Sequence, residues 1–179
     1  MGKTDVLMGR IAAPVLLVLV MFATVYAQSR TFTRDDVEFA LDLPSASWQA
    51  VTHLDVHHHV DFVYGDDTTR GYLHVRKKLA SPGATAADIF GEHERLELQK
   101  LSGYVACGAD EKFAATINTS VFTYEYISHG KTMAGRIYYL KFADRLFYVL
   151  HFTGERSSLA TLRDEMDSMV RSFRLIRMA

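Results

Sequence analysis

The sequence predicts an α+β domain built on one antiparallel sheet of about six to seven strands with helices against it. Three observations point there. Alternating apolar and polar residues recur between Val37 and Lys78, the period of half-buried strands. Of three longer runs between residues 119 and 153, two (132–142 and 146–153) are apolar on both parities, as expected of central strands covered on both faces. Two segments, 86–101 and 158–172, carry apolar residues at helical spacing instead. The 179-residue chain is 49% apolar and 12% aromatic, too hydrophobic to be disordered and the right length for one core-rich domain. Its net charge of −1 leaves no concentrated basic face, so nucleic acid is excluded as a partner. A single cysteine excludes a disulfide framework.

Residues 1–27 differ from the rest. Lys3 and Arg10 precede a stretch from Ile11 to Tyr26 that carries no charge, and Val25-Tyr26-Ala27 ends on a small residue. This is the layout of a secretory signal peptide, cleaved before Gln28. The mature domain is then 28–179, periplasmic or secreted, with no membrane span after cleavage. No cysteine follows the apolar run, so there is no lipobox.

Within that domain, Val37-Glu38-Phe39-Ala40-Leu41-Asp42-Leu43 reads as a strand that Pro44 stops. Trp48 closes one end of the core. Residues 49–54 and 58–64 give two more strands, the turn formers of 65–71 a loop, and 72–78 a fourth strand. After Ser81-Pro82-Gly83-Ala84, Thr85 is placed to cap a helix over 86–101, with Asp88 as its capping-box partner. Ile89, Phe90, His93, Leu96 and Leu101 share its inner face, and Ser102-Gly103 ends it. The strands 119–128, 132–142 and 146–153 follow, with turns at His129-Gly130-Lys131 and Ala143-Asp144-Arg145. A helix over 158–172 completes the chain, its core stripe formed by Leu159, Leu162, Met166, Met169, Val170 and Phe173. The tyrosines of the long strands (Tyr124, Tyr126, Tyr138, Tyr139, Tyr148) read as sheet packing rather than as a ligand floor.

This order resembles that of a known family. Leu41-Asp42-Leu43-Pro44 with nearby Trp48 opens it; a meander, an amphipathic helix, long antiparallel strands and a last helix ending in Ser172-Phe173-Arg174-Leu175 follow. Residues 32–176 thereby resemble the PsbP-like family, named for an extrinsic thylakoid-lumen subunit of photosystem II, and its bacterial periplasmic relatives of DcrB type. The resemblance implies an α/β/α sandwich and a non-enzymatic binding or assembly role. It carries no active site across, and nothing in these residues points to a thylakoid partner.

The catalytic motifs fail one by one. His93-Glu94-Arg95-Leu96-Glu97 opens like a zinc-protease helix but has Glu97 where the second histidine belongs. Ser128-His129-Gly130-Lys131 matches the spacing of a penicillin-recognising nucleophile but spans a hairpin, without the companion motifs. Cys107 has no local base and reads as a buried, inert thiol. The unusual stretch is His53-Leu54-Asp55-Val56-His57-His58-His59-Val60-Asp61. On one continuous strand, His53, Asp55, His57, His59 and Asp61 would face one way, and imidazole with carboxylate suits Zn²⁺, Cu²⁺ or Ni²⁺. The candidate metal ligands are therefore His57, His59 and Asp61, set against a polar hairpin whose histidines are merely solvated.

The expectation is an exported binding or assembly domain that is not an enzyme, needs no cofactor and takes an unknown protein or small-molecule ligand. The alternative is an exported metal-binding protein or metal-dependent hydrolase that uses the 53–61 histidines. Weak binding of a divalent transition metal is compatible with either.

Overall fold

The computed structural model of the chain describes residues 30–51, 60–111 and 113–176. The segment 1–27, read above as a signal peptide, and His53, Asp55, His57, His58 and His59 lie outside the described residues. Among the described residues, ten strands and three helices form the fold, seven of the strands making one antiparallel sheet: β3 (Trp48–Val51), β4 (Val60–Tyr64), β5 (Tyr72–Leu79), β9 (Leu146–Glu155), β8 (Lys131–Lys141), β7 (Asn118–Ser128) and β6 (Val105–Ala109), in that spatial order. A second sheet of three short strands, β1 (Arg30–Phe32), β2 (Phe39–Leu43) and β10 (Arg174–Leu175), has β2 in the middle. Helix α1 (Ala86–Leu96) lies on one face of the large sheet; α2 (Arg156–Thr161), α3 (Arg163–Ser172) and the small sheet lie on the other. The α+β class and both covered faces are as the sequence predicts. Among the described residues, no helix is long and apolar enough to cross a membrane.

The alternation of the strands feeds two separate cores. Phe62, Leu73, Val75, Tyr138, Leu140, Leu150 and Phe152 point toward α3 and β2, where they meet Leu41, Leu43, Met166, Met169 and Phe173. Ile137, Tyr139, Phe147 and Val149 point the other way, toward Ile89, Phe90 and Leu98. Trp48 is fully buried in the first core, and its indole N–H donates to Glu165 at 2.9 Å, fixing the start of α3 to the sheet. The β7–β8 hairpin turns on His129 and Gly130, both at positive φ (50° and 75°), as a two-residue hairpin loop requires.

Several details differ from expectation. The helix expected over 86–101 ends at Leu96, and a 3-10 turn over Leu98–Lys100 follows. The tightening buries Leu98 and leaves Leu96 at 44% exposure. The capping box of Thr85 and Asp88 is present as expected. The last helix is two, broken at Leu162, yet every residue of the expected stripe is buried. The break lies inside the stripe's own spacing, so periodicity could not show it.

Cys107 is a correction. It lies in β6, an edge strand exposed along its whole length, at a shift of register between Ala106 and Gly108, and its side chain is exposed rather than buried. Five weakly patterned residues at a sheet edge carry no burial signal. Partial desolvation of the thiol and the nearby Glu125 carboxylate push it above the ordinary cysteine range, so it is not an activated nucleophile.

Candidate functional site

The face of the large sheet under α1 is not wholly apolar. Strand register places Asp61, His74, His151 and Ile137 side by side across β4, β5, β9 and β8. Two residues along, Arg76, Val149 and Tyr139 form the next row; two residues the other way, Tyr72, Thr153, Gly135 and Tyr124 form a third. Period-two geometry then puts all these side chains on one face. From above, His93 comes down from α1, and its ring meets that of His151 edge-on at 5.7 Å. The result is an open cleft of about 380 Å³, lined by Tyr72, His74, Arg76, His93, Glu97, Leu98, Leu101, Tyr124, Tyr126, His151 and Thr153.

Hydrogen bonds hold the floor of this cleft. The buried Asp61 carboxylate faces His74 Nδ1 at 2.5 Å and accepts from the Tyr72 hydroxyl. Burial and that bond push the Tyr72 phenol above its usual range. His151 Nε2 is hydrogen-bonded to the Tyr124 hydroxyl at 2.8 Å. The bond depends on Gly135: a Cβ there would come within 2.1 Å of the Tyr124 ring, so only glycine on β8 lets that ring lie flat across the strand. At the rim, Glu97 reaches His93 Nε2 at 3.3 Å.

Electrostatics follow from burial. Desolvation, then the proximity of His93, Arg76 and His74, holds His151 well below the ordinary histidine pKa. His93 is lowered too, by desolvation first and by Arg76 second, with Glu97 opposing. Both rings are therefore neutral at pH 7.

A second polar cluster lies on the opposite face. Arg136 bridges Asp110 (2.8 Å) and Asp167 (3.2 Å), Arg163 pairs with Asp110 at 2.6 Å, and the Tyr138 hydroxyl donates to Asp167. Its charges satisfy one another, and it ties the segment after β6 to α3.

Of the candidate metal ligands, Asp61 sits in the cleft floor, already engaged by His74 and Tyr72; His57 and His59 lie outside the described residues. Among the described residues, no group of three or more His, Cys, Asp or Glu side chains has the geometry to hold a metal ion. The sequence reading missed His74, Arg76 and His151. Its available signal was His151, a polar residue on the apolar parity of Phe147 and Val149. Tyr124 and Tyr126, read as packing, both pack and line the cleft.

Neither a protein-family model nor a curated protein sequence matches the chain. Solved structures do. The Ran-binding protein Mog1p of Saccharomyces cerevisiae superimposes with a TM-score of 0.60 at 9% identity, over 84% of this chain and 96% of that one. Cyanobacterial PsbP (CyanoP) of Synechocystis sp. PCC 6803 gives 0.60 at 10% identity, over 86% and 95%. The chain has the fold of PsbP and Mog1. LpqN, involved in cell envelope biogenesis of Mycobacterium tuberculosis, shares this PsbP/Mog1 fold, with a TM-score of 0.51 and 16% identity over 83% and 90%. The chain spans 49% of a longer Bacteroides thetaiotaomicron protein (TM-score 0.55, 13% identity, 84% of this chain). At these identities the likeness concerns fold, and it agrees with the PsbP-like order read from the sequence.

Proposed function

We propose that the protein is an exported, non-enzymatic binding or assembly domain of PsbP-like fold, with the cleft under α1 as its ligand seat. The carrying observation is the makeup of that cleft. His151 is bonded to Tyr124, His74 to Asp61 and His93 to Glu97, and the lining holds no serine or cysteine that those histidines could activate, its one aliphatic hydroxyl being that of Thr153. A concave, partly apolar site with a few placed polar groups suits recognition. Export is supported by the layout of residues 1–27, and a binding role by the Ran-binding protein among the structures of this fold. Fold likeness alone does not assign function, so the reading rests on the cleft.

Two measurements test it. Intact mass of the protein recovered from a bacterial periplasm is expected to begin at Gln28; a species that retains Met1 and sediments with membranes would reverse the export reading. A panel of ester, phosphoester, glycoside and peptide substrates is expected to show no turnover. Turnover abolished by His151→Ala would make the cleft an active site instead.

A further inference from the structure

Three buried side-chain polar atoms among the described residues have no hydrogen-bond partner: Arg76 Nε, His93 Nδ1 and Tyr139 Oη. All three are in one place, under α1. Arg76 and Tyr139 flank Val149 in the same sheet row, and Arg76 and His93 line both the large cleft and an adjoining cavity of about 120 Å³. His93 is 8% exposed and Tyr139 1%. Buried polar groups are almost always satisfied, and each exception needs a reason. Arg76 and His93 share that cleft, and Tyr139 lies beside it in the sheet row of Val149.

From this geometry we infer that the cleft binds a small organic carboxylate, its anionic head between Arg76 and His93 and its apolar body over Leu98, Leu101 and Tyr126. The inference rests on the cleft being a ligand seat, as proposed above. The sign of the ligand follows from charge. Arg76 makes no hydrogen bond or ion pair within the described protein, whereas Arg136, Arg163, Lys77 and Lys131 each have a carboxylate partner. Lys78, at the edge of the adjoining cavity, faces Glu92 at 3.6 Å. Arg76 disfavours protonation of both His93 and His151, with Glu97 at the rim opposing it for His93. A guanidinium fork matches a carboxylate in shape as well as charge. A carboxylate already docks on His93 Nε2: Glu97 reaches it from the rim with its own side chain 64% exposed, so a neutral His93 donates from Nε2–H and a ligand carboxylate takes the place of Glu97 there. A single arginine with apolar walls suits a monoanion with a compact hydrophobic body. At about 380 Å³, the cleft lies toward the lower end of small-molecule sites.

Calorimetry on the full-length protein with benzoate, benzamide and acetate tests this, with probe concentrations up to about 10 mM, enough to see millimolar affinity. Benzoate is expected to bind at least tenfold more tightly than neutral benzamide or acetate, which lacks the apolar body. Arg76→Met is expected to erase the preference for benzoate over benzamide while keeping the parental melt, because Arg76 holds no structural partner among the described residues. Glu97→Gln is expected to tighten benzoate severalfold by removing the competing carboxylate, a gain that no purely structural role produces. Benzamide binding as tightly as benzoate would overturn the anionic assignment and leave the cleft a binding seat. Unchanged benzoate affinity in Arg76→Met, or no benzoate heat with the parent protein, would overturn the proposal itself.

Discussion

Gly135 illustrates how much of the cleft depends on one atom. Its missing Cβ admits the Tyr124 ring, which brings the hydroxyl to His151. Gly135→Ala is expected to push that ring aside and cost about 1–3 kcal/mol, the usual range for overpacking a filled interior. Urea melts of the variant check this; an unchanged midpoint would mean the ring relocates freely. Residue-scale reading also has its limit here. His74 and His151 come from strands far apart in the sequence, and no local pattern announces that register will set them side by side. Asp61 was legible because it sits in a histidine-rich stretch, yet its partners are His74 and Tyr72. A carboxylate so engaged is a poor free ligand. Zn²⁺ titration is therefore expected to give weak binding, with Kd no tighter than about micromolar, reduced in a His57→Ala/His59→Ala variant and weakened further toward pH 5.5 as imidazoles protonate. Equal heats from parent and variant would remove those histidines from consideration.

At the scale of elements, period and parity did most of the work. Long strands with apolar residues on both parities, the Thr85–Asp88 box and the stripe from Leu159 to Phe173 all express local physics, and all are present. What the sequence did not show was β1, β6 and β10. Each is short, and two of them exist only because they pair with β2 from opposite ends of the domain. Such strands are made by tertiary contact, which overrides weak propensity. The α3 stripe, by contrast, is strongly specified: Met166 is 1% exposed and packs in the core shared with Phe62, Leu150 and Phe173. Met166→Asp would bury an unpaired charge there, a change expected to cost more than about 4 kcal/mol and to abolish a cooperative melt. A variant that melts cooperatively near the parental temperature would show that this helix face contributes little.

For the whole molecule, the cleft histidines link fold stability to pH. His93 is faced by Glu92 on its own helix and Glu97 just past its end, by His74, Arg76 and Lys78 from β5, by Tyr124 from β7 and by His151 from β9. His93 and His151 are both held below the ordinary histidine pKa when folded, and regain a value near 6.5 when unfolded. The unfolded chain then binds more protons below about pH 6.5, so folding stability rises with pH across that window and falls on acidification through it. The slope is at most about 1.4 kcal/mol per pH unit for each such histidine. Glu38 acts in a lower window. Burial opposes its ionisation, but its bonds to Lys77 and Tyr148 outweigh that and lower its pKa, so its contribution is lost only below about pH 4.5. Urea midpoints measured between pH 7.5 and 5.5 therefore isolate the histidines from the carboxylates. The parent is expected to lose stability steadily over that range, and His151→Phe, which keeps the ring and removes the proton site, to lose it with a shallower slope. Parallel slopes for the two proteins would show that His151 stays accessible to protons in the folded state, and the cleft floor would then be wetter than its packing implies.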